Sequence, residues 1–116
     1  MIRRYDSGAA FLAENQAFLD IKPQISAFMA LDAPLLEKTD KINYAARCEK
    51  DGKTLLAMKV EPYHLQLFGD ADCAGELLDF LVRGGYEIQN YLSEKTLGDA
   101  AAREMEARFG MRYEEA

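Results

Sequence analysis

A few residues of this sequence could do chemistry. His64 is the single histidine and follows Glu61 by three positions; an imidazole beside a carboxylate can serve as a general base. No nucleophile or second carboxylate is tied to that pair by spacing, and on an alternating strand a lone histidine is more often a surface or satisfied side chain. Asp70 and Asp72 place two carboxylates in one short turn. Cys48 and Cys73 are the only cysteines and form no C-x-x-C, which reads as two reduced, half-buried fillers. No His/Cys/Asp/Glu group has metal-ligand spacing, and no serine or cysteine sits in a nucleophile motif. Met29, Met58 and Met105 fit core positions and need no cofactor. Residue types and spacing thus assign no catalytic, cofactor-binding or metal-binding residue on this chain.

The acidic turn lies in residues 60–85, the stretch around which the chain is organised. The segment 63–68 alternates, with Tyr63, Leu65 and Leu67 on one face and His64, Gln66 and Phe68 on the other, and so reads as a strand. Asp72 is placed to N-cap the helix that follows. Ala74, Leu77, Leu78, Leu81 and Val82 form that helix's buried side with Phe80 flanking, Arg83 suits its last turn, and Gly84-Gly85 give a left-handed exit. A strand-to-helix turn is the usual ligand position in an α/β protein, because the helix N-terminus offers free N–H groups and a positive dipole end.

The elements that must hold this turn follow from periodicity. Residues 1–5 read as an edge strand. Asp6-Ser7 offers an N-cap to a helix over 8–20, whose stripe is Phe11, Leu12, Asn15, Phe18 and Leu19, with Glu14 and Asn15 at its wet side. Pro23 opens a second, short helix with Ile25, Phe28, Met29 and Leu31 as its apolar side. Asp32-Ala33-Pro34 breaks it, and a further helical turn is expected over 34–39. Strands are predicted at 43–49 and 54–60, joined at Asp51-Gly52, and Pro62 ends the second. Residues 86–92 alternate as another strand. Ser93 or Thr96 starts a last helix, striped by Leu97, Ala101, Met105 and Phe109 and stopped by Gly110. A strand begins at 111–114. The order is β-α-α-β-β-β-α-β-α-β in one domain, residues 1–116, with no repeat and no linker. A meander followed by alternating elements predicts an α/β (mixed α+β) domain, a mixed central sheet with helices on both faces.

Composition narrows the class. The chain has 116 residues, 49% apolar and 29% charged, enough for one core. The net charge of −6, with basic residues dispersed, disfavours nucleic acid as a partner. Apolar runs are too short to span a membrane, and the N-terminus lacks a signal-peptide core, so a cytoplasmic protein is expected.

The element order is that of the GNAT superfamily, the acyl-CoA-dependent N-acetyltransferases. Local wording resembles the N-terminal half of a bacterial GNAT-like group. The resemblance is carried by Met1-Ile2-Arg3-Arg4-Tyr5-Asp6, Leu31-Asp32-Ala33-Pro34-Leu35-Leu36, Lys53 through Tyr63, and Leu67-Phe68-Gly69-Asp70. In that group the C-terminal half is the recognisable acetyltransferase domain. GNAT enzymes hold the pyrophosphate of acetyl-CoA with a Q/R-x-x-G-x-G/A loop, using backbone N–H groups at a helix start. Gln66-Leu67-Phe68-Gly69-Asp70-Ala71 matches that string, but with Gln66 inside the strand. Alignment on Leu77-Leu78 puts the motif on Gly69, Asp72 and Ala74, an aspartate replacing the central glycine. Two carboxylates beside a pyrophosphate repel it, against a helix-dipole attraction of ~0.3–1 kcal/mol. Tyr91, by the same resemblance, falls near the place of a GNAT general acid, although a core or interface tyrosine is the commoner case.

The resemblance therefore implies a non-catalytic N-terminal domain of a GNAT-like N-acetyltransferase. It would pack on a C-terminal acetyl-CoA-binding GNAT domain and shape the acceptor site. Acetyl-CoA would be the cofactor of the parent protein, not of this chain. A homodimer is a further candidate assembly. The alternatives are a small stand-alone acetyl-CoA-dependent N-acetyltransferase with a divergent pyrophosphate loop, and an α/β interaction domain.

Overall fold

The computed structural model describes residues 1–88, 91–92 and 95–110, with residues 91 and 92 described by their backbone. In chain order come β1 (Ile2–Arg4), α1 (Gly8–Leu19), α2 (Pro23–Asp32), a 3-10 turn (Ala33–Leu35), β2 (Tyr44–Lys50), β3 (Lys53–Lys59) and β4 (Leu65–Gly69). A second 3-10 turn (Ala71–Cys73), α3 (Ala74–Arg83), β5 (Tyr91–Leu92) and α4 (Lys95–Phe109) complete the described chain. The strand expected at 111–114, residues 89–90 of the strand expected at 86–92, and the helix start expected at Ser93 lie outside the described residues.

The strands form one sheet in the order β1-β2-β3-β4-β5, antiparallel as far as β4 and parallel between β4 and β5. Asp51 and Gly52 turn the β2–β3 hairpin with φ of 53° and 77°, the positive values that a two-residue turn needs. The parallel step requires a crossover, and α3 lies in that connection.

Alternation along the strands divides the core in two. Ala46 and Cys48, Leu55 and Ala57, and Leu65 and Leu67 meet Leu77, Leu78, Leu81, Leu97, Ala101 and Met105 of α3 and α4. Ala45, Leu56, Met58 and Phe68 point the other way, into a cluster with Phe11, Leu19 and Met29 of α1 and α2. The result is a mixed α/β domain with helices on both sheet faces, as the sequence pattern predicts. Residues Leu97, Ala101 and Met105 of α4 are buried at their four-residue spacing, again as expected.

Five local expectations are corrected. Asn15, expected at the wet side of α1, is fully buried. Its amide is satisfied there: Nδ2 donates to the Phe11 carbonyl at 2.9 Å, and Oδ1 accepts from Arg47 at 2.7 Å. Phe28 and Leu31, expected on the inner side of α2, are 62% and 70% exposed. Ser26, Met29 and Ala33 face inward instead, with the Ser26 hydroxyl donating to the Leu19 carbonyl at 2.6 Å. The helical turn expected over 34–39 is the 3-10 turn over 33–35, and the strand expected from 63 begins at Leu65. The N-cap expected at Asp72 is not made: Cys73 precedes α3 without a side-chain cap, and Asp70 caps the 3-10 turn before it.

One contact fixes how α1 meets the 3-10 turn. The Gly8 N–H donates to the Leu36 carbonyl at 2.6 Å, and a Cβ on Gly8 would lie 1.6 Å from the Ala33 carbonyl oxygen. Only a glycine allows the two backbones to approach this closely.

Candidate functional site

The turn from β4 into α3 is built around Gly69 and Asp70. Gly69 has φ 135°, and a Cβ there would lie 2.3 Å from the Thr54 carbonyl oxygen, so the chain leaves the sheet edge pressed against β3. The Asp70 N–H donates to that same Thr54 carbonyl at 2.8 Å. The Asp70 carboxylate then accepts from the Asp72 N–H at 2.9 Å, and its carbonyl accepts from the Cys73 N–H at 3.2 Å. Two of the amides that open this helical segment are therefore occupied by Asp70 itself.

Asp72 points away to the β2–β3 hairpin, where it forms an ion pair with Lys53. The Lys53 ammonium holds the Asp72 carboxyl below its ordinary value, and Asp72 in turn raises Lys53. Lys53 thus offsets one of the two carboxylate charges expected to repel a phosphate. Asp70 occupies two amides of the 3-10 turn that leads into α3 and keeps its own carboxylate there, both of which oppose an anion at this turn.

Beneath the turn lie Cys48 and Cys73, both free and buried. Burial, with the neighbouring Cys73 thiol and Glu76, pushes Cys48 up to about 12. Burial also raises Cys73. These thiols are core fillers, not nucleophiles.

The structure does not bring His64 and Glu61 into one site. Glu61 lines an open cleft of about 600 Å³ with Lys38 and Asn43, and its N–H donates to Asn43 Oδ1 at 2.7 Å. His64 lines a different cleft, of about 440 Å³, together with Phe28, Asp32, Pro62, Tyr63 and Gln66. Tyr91 pairs with Leu65 in the sheet, and its side chain lies outside the described residues. Among the described residues no group of three His, Cys, Asp or Glu could hold a metal ion, and no helix is long and apolar enough to cross a membrane.

The second cleft contains an arrangement that spacing alone does not disclose. Gln66 projects from β4 on the α2 side of the sheet and is 7% exposed. Its Nε2 donates to Asp32 Oδ2, at the end of α2, at 2.7 Å. The signal present in the sequence is a polar residue two positions before Phe68, on the same inward strand face. Its partner lies 34 residues away and could not be read from local pattern.

No protein-family model, no curated protein and no solved structure matches the chain.

Proposed function

We propose that this chain is a non-catalytic, GNAT-like domain that packs against an acetyl-CoA-binding domain and helps shape that domain's acceptor site. The observation that carries the reading is the sheet: an antiparallel β1-β2-β3-β4 followed by a parallel β5, with α1 and α2 between β1 and β2 and α3 between β4 and β5. That arrangement fits the GNAT element order which the sequence resembles.

Two further features support a packing role over catalysis. The β4–α3 turn, where a GNAT enzyme receives pyrophosphate, is capped by Asp70. Ile21, Phe28, Leu31 and Leu35 leave four large apolar side chains 60–70% exposed around α2, a surface suited to burial against another domain.

Acetyl-CoA titration of the purified chain tests the reading, together with the coding sequence that follows residue 116. The expected results are no saturable heat with the chain alone, and a Q/R-x-x-G-x-G/A loop after a further strand in the continuing frame. A micromolar isotherm with this chain would favour the stand-alone N-acetyltransferase. A frame that ends at Ala116 would remove the companion domain and the proposal with it.

A further inference from the structure

The cleft between the start of β4 and the end of α2 has the features of a built binding site. Its volume of about 440 Å³ lies within the range of small-molecule clefts, ~300–1,000 Å³. At its base Gln66 is more than nine-tenths buried, and its amide is fixed by the bond from Nε2 to Asp32 Oδ2. That bond commits the amide's orientation. It leaves two acceptors without a donor among the described residues, Gln66 Oε1 and Asp32 Oδ1, on groups held 2.7 Å apart. Neither oxygen is sealed from solvent, so the N–H groups of a ligand can replace water on them.

The walls are aromatic. Tyr63 is 56% exposed and Phe28 62%, so both side chains are largely open to solvent beside the cleft. Among the described residues no lysine or arginine lines the cleft, whose polar groups are the Asp32 carboxylate, the Gln66 amide and the His64 imidazole. An anion is therefore disfavoured. A cation with several N–H donors is favoured, since it can satisfy both oxygens and lie against an aromatic face. A planar guanidinium fits better than an ammonium: its fork of N–H groups can span two adjacent acceptors, and its flat face stacks on a ring where a hydrated point charge does not.

We propose that this cleft binds a guanidinium group on a short apolar stem, seated against the Asp32–Gln66 pair and between the Phe28 and Tyr63 side chains. The site shares Phe28 with the α2 surface proposed to meet a companion domain, and it is tested on this chain alone, where that surface is open.

The test is calorimetric titration of the full chain with 1-butylguanidinium, paired with 1-butylammonium and with a blocked Gly-Gly-Arg-Gly-Gly peptide. Saturable guanidinium binding is expected, with 1-butylammonium at least fivefold weaker. Asp32→Asn keeps an acceptor for Gln66 but removes the charge, and it should weaken binding at least tenfold. Tyr63→Ala changes an exposed ring that folding does not need, and should weaken it at least threefold. Tighter binding of the peptide would assign the site to an arginine of a polypeptide; tighter binding of the free compound would assign it to a small metabolite. No saturation by either guanidinium compound up to about 10 mM, equal binding of the ammonium, or full binding by both variants would overturn the proposal.

Discussion

The Cys48 thiol, pushed up to about 12 mainly by burial, carries almost no thiolate at neutral pH. A thiol reagent should leave the folded chain unmodified at pH 8 over the time in which the urea-unfolded chain reacts at both cysteines; rapid native labelling would contradict the buried placement. The same shift ties stability to pH. An acid whose folded pKa is raised keeps its proton longer in the folded state than in the unfolded chain. Its contribution is complete below its ordinary value of 9.0 and is lost as pH rises from there towards 12. The Tyr5 hydroxyl, buried without a hydrogen-bond partner and raised by that burial, acts in the same direction. Urea midpoints should therefore fall above pH 9, and Cys48→Ala should flatten that fall; an equal slope in the variant would assign it elsewhere. Asn15 shows where a residue misleads a reader of sequence. Its place in the α1 stripe was visible, but its polarity argued for solvent. The Arg47 guanidinium that satisfies it comes from β2, 32 residues on. Asn15→Ala removes the acceptor of Arg47 Nη1, while Arg47 keeps its ion pair with Glu49, and should cost about 1–3 kcal/mol in urea unfolding.

Elements with a single periodic face were legible, and those with two were not. Strands β2 and β3 were announced by Asp51-Gly52, and α4 by one apolar stripe at four-residue spacing. Helix α2 carries apolar residues on both sides, Ile25 and Met29 against Phe28 and Leu31, so period alone could not choose the buried one. The choice is made by tertiary contacts: the Ser26 hydroxyl beneath the end of α1, and Ala33 against Gly8. The β4–α3 connection was located correctly, but its capping residue was not. Asp70 and Asp72 are equivalent in composition, and only the reach of Lys53 from the hairpin draws Asp72 away. Two substitutions separate the functions of this turn. Gly69→Ala combines φ 135° with a backbone clash against Thr54, and should lower unfolding free energy by about 2 kcal/mol or more. Asp70→Ala removes a cap alone and should cost about 1 kcal/mol. Similar, small losses from both would mean that the turn tolerates a Cβ and is not pressed against β3.

Across the whole molecule, the two faces of the sheet are not covered alike. On the α3–α4 face the helices present leucine and methionine inward and close over the strands. On the α1–α2 face the helices also close over the sheet, yet the outer side of α2 and its flanking turns keep Ile21, Phe28, Leu31 and Leu35 in water. The sequence contained these apolar residues but not their exposure, because exposure depends on which side of α2 the rest of the chain claims. Covering four such side chains removes on the order of 1,000 Å² counting both partners, the lower limit for specific association. At high concentration, with no other domain present, the chain should therefore pair weakly with itself through this surface. Sedimentation equilibrium should show a mass that rises with concentration, and Phe28→Ser with Leu31→Ser should hold the mass at the monomer value. Because both side chains are already wet, the double variant should unfold within about 0.5 kcal/mol of the parent chain. A parent chain that stays monomeric at high concentration would show that the surface is too weakly apolar to recruit a domain. A double variant that loses several kcal/mol would instead place those side chains in the core and not at an interface.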